Sequence, residues 1–275
     1  MILLSGIQVR EALKKQLKEA TSLLVVLPKL VILQIGNNKE SDIYIRQKKK
    51  FGQELGIIVE HKVYEENTKE GEIVAEIESY NKDEKIGGII VQLPIPKHLN
   101  CSKILNSIDF KKDVDGLGVV QTGLFYSGDS KAITPATARG VISLFDFYNI
   151  DLDSKHVVVI GRSNLVGRPV AQMCLKRNAT VTVCHSHTKN LDTITKTADI
   201  LIVACGVPRL IGSPYVREGQ VVIDVGINKI EEGICGDVDF DKVKDVVYAI
   251  SPVPGGVGPL TVMSLFQNLI DSQKK

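Results

Sequence analysis

The sequence predicts an α/β protein made of two tandem units, each a parallel sheet with covering helices. Short runs that are apolar throughout alternate with helical patterns along most of the chain. Such runs belong to strands buried on both faces, which parallel sheets with right-handed crossovers provide. The runs fall into two series with a long amphipathic helix between them. A length of 275 residues also accommodates about two domains at roughly 150 residues each.

In the first series, LVILQIG (30–36), GIIVEHKVY (56–64) and GGIIVQLP (87–94) read as strands, with helices around 41–55 and 71–82. The second series is KHVVVIG (155–161), ATVTVCH (179–185), ADILIVACG (198–206), QVVIDVG (220–226) and VVYAI (247–251). The join falls at TPATARGVISLFDFYNI (134–150), where a turn containing Thr134 and Pro135 precedes the long helix. These boundaries predict a substrate domain over 1–136 and a dinucleotide-binding domain over 137–258. The last helix, 259–275, follows the Pro/Gly segment SPVPGGVGP and is expected to pack back on the first domain. A cleft between the units is the expected ligand site.

A hydrophobic content of 44% with 24% charged residues excludes a disordered chain. The net charge of +2 gives no strong field to recruit nucleic acid or an anionic membrane. Cys101, Cys174, Cys184, Cys205 and Cys235 include no CxxC pair, and their odd number cannot close fully into disulfides, which favours a reducing cytoplasm. The N-terminal segment lacks a basic signal-peptide region, and no run approaches the roughly 18 apolar residues of a membrane span. A soluble, unprocessed protein is expected.

The segment VVVIGRSNLVGRP (157–169) is strand, glycine turn and helix start. Gly161 permits the tight turn and Gly167 permits close helix approach, leaving N–H groups at the helix start to face a pyrophosphate. Ser163 stands where the usual fingerprint has its second Gly, and the final Gly is one place late. A dinucleotide turn and a plain strand-to-helix turn both fit. The next strand ends in Cys184, His185, Ser186, His187 and Thr188, without the carboxylate that an NAD-specific fold places there. Arg162, Ser186, His187 and Lys189 suit a ribose phosphate, which points to NADP over NAD; a polar loop is the plain alternative. His185 and His187 have no Cys or carboxylate at ligand spacing, so no metal is expected.

In SDIYIRQKKKFGQEL, Ser41 is expected to cap a helix on which Tyr44, Lys48, Phe51 and Leu55 fall at i, i+4, i+7 and i+11. Lys48 therefore lies on the apolar stripe, while Arg46, Lys49 and Lys50 form a solvated face. Desolvation would lower the lysine pKa and suit it to proton exchange. Snorkelling of its ammonium into water is equally compatible with the spacing. Gln92 ends the third strand, where ligands of open parallel sheets gather. An uncharged amide there can hold a lysine without fixing its proton. Asp113 and Asp115 in KKDVDGLG either build an Asp-rich turn or offer a carboxylate to the paired N–H groups of a heterocycle edge.

Taken together, GIIVQLP, KDVDGL, GRSNLVGRP, HSHT, DVGIN, GDVDF and SPVPGGVGP resemble the bifunctional methylenetetrahydrofolate dehydrogenase/methenyltetrahydrofolate cyclohydrolase family, in order and over essentially the whole chain. The resemblance implies a cytoplasmic homodimer of one-carbon metabolism, supplying purine biosynthesis, with an N-terminal folate domain and a Rossmann domain. It implies Lys48 as the catalytic lysine, Gln92 as its tuning partner and Tyr44 as the aromatic that stacks on the folate. Asp115 would grip the pterin edge, and Ser41, Pro254, Gly255 and Gly256 would border the folate. Gly161, Arg162, Ser163, Val166, Gly167, Arg168, Pro169, Ser186, His187 and Ile227 would hold NADP, with NAD possible.

Two positions depart from the family. Ala136 and Ala138 follow Pro135 where a Pro-Cys-Thr-Pro segment is usual, and His187 stands where many relatives have Arg or Lys. Retained activity is expected of the first change, and an open coenzyme preference of the second. Two rival readings are a different Rossmann dehydrogenase acting on a small acid and a non-catalytic folate- or nucleotide-binding protein.

Overall fold

The computed structural model describes residues 1–274. The elements run β1 (Ile2–Leu3), α1 (Gly6–Ser22), β2 (Lys29–Ile35), α2 (Lys39–Glu54), β3 (Val59–Tyr64), α3 (Glu70–Lys82), β4 (Ile86–Val91), α4 (Cys101–Asn106), α5 (Val119–Ser127) and α6 (Ala136–Phe147). They continue as β5 (His156–Ile160), α7 (Gly167–Leu175), β6 (Thr180–Cys184), α8 (Leu191–Lys196), β7 (Ile200–Val203), β8 (Val221–Asp224), β9 (Asn228–Ile230), β10 (Gly233–Cys235), α9 (Phe240–Val243), β11 (Ala249–Ile250) and α10 (Val257–Ser272). By contact the chain divides into two compact units, one of Leu13–Ala136 with Val262 onward, the other of Met1–Ala12 with Thr137–Thr261.

The first unit holds a parallel sheet in the order β3-β2-β4. Residues 30–35 of β2 and all of β4 are buried, as continuous apolar sequence requires of strands covered on both faces. One face packs Val31, Leu33, Ile89 and Val91 against Ile73 and Ile77 of α3 and Ile104 of α4. The edge strand β3 is more exposed and carries Glu60 and Lys62. It begins at Val59 rather than 56, because Gly56, with φ +76°, closes the preceding helix. Helix α10 enters this unit from Val262, and buried Asn268 donates to the carbonyls of Val114 (2.9 Å) and Thr134 (2.8 Å). These two bonds tie the KDVDGL turn to the segment before α6.

The second unit holds a parallel sheet in the order β1-β11-β8-β7-β5-β6. The contact division falls at Ala136/Thr137, at the expected boundary, but the N-terminal residues change sides. The expected substrate domain includes residues 1–12, yet the Ile2 amide donates to Tyr248 O and the Leu4 amide to Ile250 O, which adds β1 to this sheet's edge. Two residues are too short for any periodicity to signal such a strand. The start of α1 is also held here, with the Gly6 and Ile7 amides donating to Gly255 O. Among the described residues, no helix is long and apolar enough to cross a membrane.

Truncating Asn268 to Ala would leave one buried and one partly buried carbonyl without this donor, at about 1–3 kcal/mol for each group left unpaired. We expect Asn268→Ala to lose about 2–4 kcal/mol of stability, read as a lower denaturant midpoint with unchanged slope.

Candidate active site

Helix α2 delivers Lys48 to the carboxyl end of β4. The helix begins at Lys39, two residues before the expected Ser41 cap, and the Asn38 side chain accepts from Ser41 N at 3.1 Å. Ser41 is instead a buried residue of the first turn. On the predicted stripe, Phe51 and Leu55 are buried, and Phe51 packs on Phe266 with ring centroids 5.5 Å apart. Lys48 and Tyr44, one and two turns nearer the helix start, are half-buried. The stripe therefore runs from the unit's core to its rim.

Lys48 Nζ donates to Gln92 Oε1 at 2.9 Å. Gln92 lies one residue past β4, and its backbone amide still joins the ladder by donating to Leu33 O at 2.8 Å. Its side-chain Nε2 donates to Leu93 O at 3.0 Å, so Oε1 is left to receive the lysine. Burial holds the Lys48 amine below the ordinary lysine value, with the charge of Asp115 opposing the shift. Burial likewise pushes the Asp115 carboxyl up, opposed by Lys48. The half-buried side chain thus turns its amine to Gln92.

The two aspartates of KDVDGL have separate jobs. Asp113 is the turn builder: its carboxyl accepts from the amides of Gly116 (3.0 Å), Leu117 (3.3 Å) and Gly118 (2.7 Å). Burial nonetheless raises its pKa to about 6, outweighing those amides. Asp115 is the one coupled to Lys48. Ser41, Tyr44, Lys48, Gln92 and Asp115 thus belong to one unit.

The glycine turn lies in the other unit. Gly161 follows β5 with φ +122°, and a Cβ there would overlap the Ala204 carbonyl oxygen. A Cβ at Gly167 would overlap the Gly161 carbonyl, so the start of α7 packs directly on the turn. The expected uncommitted amides are partly engaged, since Ser163 Oγ accepts from Val166 N (3.2 Å) and, more weakly, Gly167 N (3.4 Å). Pro169 is buried in the helix, whereas Arg162, Ser163 and Arg168 are exposed, with Arg168 donating to Asn164. After β6, His187 N donates to His185 Nδ1 at 3.2 Å, and Ser186 and His187 are exposed. This turn, with exposed basic groups and no carboxylate over 185–190, fits a phosphorylated dinucleotide. Among the described residues, no cluster of three or more His, Cys, Asp or Glu side chains could hold a metal.

Pro254, Gly255 and Gly256 lie in this second unit rather than with Lys48. Gly255 has φ +102°, and a Cβ on Gly256 would crowd the Pro252 carbonyl, so the Pro/Gly segment is backbone-dense, as its composition suggests. Ile227 is exposed after β8, beside Asn228, which donates to buried Asp237. Sequence reasoning gave no role to Asp224, Asn228 or Asp237, although DVGIN and GDVDF contain all three.

Residues 4–115 match the family model for the tetrahydrofolate dehydrogenase/cyclohydrolase catalytic domain, and residues 135–275 match that for its NAD(P)-binding domain. The bifunctional protein FolD of Bacillus anthracis is 44% identical over 278 residues, spanning 100% of this chain and 97% of the relative. The FolD methylenetetrahydrofolate dehydrogenase/cyclohydrolase structure from Campylobacter jejuni is 42% identical with a TM-score of 0.97, covering 100% of this chain and 99% of that one. The Trypanosoma brucei enzyme, complexed with NADP and an inhibitor, is 32% identical with a TM-score of 0.95, covering 100% and 97%. The chain belongs to the tetrahydrofolate dehydrogenase/cyclohydrolase family.

Proposed function

We propose that this chain oxidises 5,10-methylenetetrahydrofolate to 5,10-methenyltetrahydrofolate with NADP and then hydrolyses the product to 10-formyltetrahydrofolate. The observation that carries this reading is the desolvated Lys48 amine, hydrogen-bonded to Gln92 at a strand end and coupled to Asp115. An amine whose basicity is lowered by burial is suited to moving a proton, which simple ligand binding does not need.

The pyridine nucleotide supplies the hydride acceptor. The two nitrogens flanking the methylene carbon stabilise the cation left behind, so this step needs no general base, and orientation carries much of its rate. Hydrolysis does need proton transfer. A neutral Lys48 takes a proton from the water that attacks the methenyl carbon. Its ammonium then returns a proton to the ring nitrogen whose bond to that carbon breaks, and the remaining hydroxyl proton is released to water as the formyl C=O forms. Gln92 orients the amine while leaving its lone pair available. In this reading Asp115 accepts N–H groups of the pterin edge, Tyr44 stacks on the folate, and Ser41, Pro254, Gly255 and Gly256 border it.

Gly161, Arg162, Ser163, Val166, Gly167, Arg168, Pro169, Ser186, His187 and Ile227 are the residues we assign to the nucleotide. The preference for NADP rests on the exposed Arg162 and His187 and on the missing carboxylate after β6. NAD remains the second coenzyme to assay. Five free cysteines, three of them buried, agree with a reducing cytoplasm. A homodimer follows from the family resemblance.

Lys48→Ala should abolish cyclohydrolase activity, by about 100-fold or more, while NADP affinity stays unchanged; an undiminished hydrolysis rate would refute the assignment. The pH–rate profile of hydrolysis should show an ionisation below the ordinary lysine value. Because Asp115 raises the Lys48 pKa, Asp115→Asn should move that ionisation to lower pH and weaken folate binding. A shift to higher pH would contradict the coupling. Reduction of NADP and of NAD with methylenetetrahydrofolate, measured in parallel, tests the coenzyme choice, and a higher kcat/KM with NAD would reverse it.

A further inference from the structure

The dinucleotide sheet changes direction between β5 and β7: from β5 the chain builds β6 on one side, then β7, β8 and β11 on the other. Ligands of such sheets lie across that switch point, at the carboxyl ends of the strands. Gly161 ends the β5 side. The β7 side is the turn Ala204–Gly206, which packs against Gly161. The next wall is the segment after β8, which carries Ile227.

Both of these turns are held from behind by one side chain. Asp237 is fully buried, and its Oδ2 accepts from Cys205 N at 2.7 Å and Gly206 N at 2.8 Å. Its Oδ1 accepts from Asn228 Nδ2 at 2.8 Å. One carboxyl group therefore fixes the amides after β7 and the segment after β8 in a single arrangement. Asp237 is itself pinned, since its backbone amide donates to Asp224 Oδ1 at 3.0 Å. Asp224 also accepts from Gly226 N (3.0 Å) and Val238 N (2.9 Å), and its own amide donates to Ser251 Oγ (2.8 Å).

The glycines complete the lock. A Cβ on Gly226 would overlap the Asp237 carboxyl, and one on Gly236 would overlap the Asp224 carboxyl. Each buried acid thus occupies the space left by a glycine next to the other acid. Two buried acids are a costly way to stiffen loops unless the exact position of those loops matters.

We infer that Asp237 is a positioning residue for the pyridine nucleotide, fixing through Cys205, Gly206 and Asn228 the two strand-end turns that wall its site beyond Gly161. The inference rests on the proposed nucleotide-dependent function. Asp237→Asn preserves volume but replaces one acceptor oxygen by an NH2 group. Facing the Cys205 and Gly206 amides, that group sets donor against donor; facing Asn228, it is accommodated only by turning the Asn228 amide over, and in either pose the charge-assisted bonds of the carboxylate are lost.

The test is calorimetric titration of the full chain with NADP, alongside hydrolysis of methenyltetrahydrofolate assayed without nucleotide. Asp237→Asn should raise the Kd for NADP at least 10-fold and leave the hydrolysis rate within twofold. Asn228→Ala, which removes one of the three donors, should raise it about threefold. A role confined to stability would lower the melting temperature but leave both Kd values at the wild-type figure, and that result overturns the inference. Should Asp237→Asn fail to fold, the Kd of Asn228→Ala decides in the same way. Absence of NADP binding by the unaltered chain would instead overturn the proposed coenzyme.

Discussion

The bond between Lys48 and Gln92 can form only if two segments 44 positions apart arrive with their ends in register. Gln92 is placed by the sheet, because its amide adds a last rung beyond β4. Lys48 is placed by a helix whose lower turns are anchored in the core through Phe51 and Leu55. The amine is thus taken out of water by parts that are rigid for other reasons. Its depressed basicity is a by-product of hydrophobic packing, and Asp115 tempers it. Removing either anchor would disturb the chemistry without touching a reacting atom.

The dinucleotide unit solves a different problem, the approach of backbone to backbone. Gly161 against Ala204, Gly167 against Gly161, and Gly226 and Gly236 against the two buried acids all put atoms where a methyl group cannot go. Ser163 adds a twist: its hydroxyl occupies amides that a glycine at that place would leave unoccupied. The variant fingerprint thus changes the hydrogen-bonding capacity of the helix start while preserving the path of the chain.

Much of this was legible in the sequence. β2 and β4 were readable because residues 30–35 of the first and all of the second are buried, so a period of two was not needed to find them. The stripe Tyr44, Lys48, Phe51, Leu55 was readable from helical spacing, but not whether the ammonium reaches solvent. That depends on Gln92 and Asp115, which are remote in sequence. The division of labour between Asp113 and Asp115 was equally hidden, since both fit an acidic turn and only the three amides facing Asp113 tell them apart. β1, β9 and β10 were missed because two or three residues hold no periodicity, and their pairing is decided by distant strands. Asp237 was invisible as an anchor, since its partners Cys205 and Gly206 lie about thirty positions upstream.

The exchange of space between two glycines and two acids also bears on how the protein can change over generations. No single one of these four positions can gain or lose bulk without displacing its opposite number, so drift there must proceed by paired steps through poorer intermediates. The loop after β6, to which we assign the adenosine end, is by contrast exposed, and substitutions there meet little steric resistance. Selection for a new coenzyme would accordingly find its accessible routes at that loop and leave the interlocked glycines and acids as inherited.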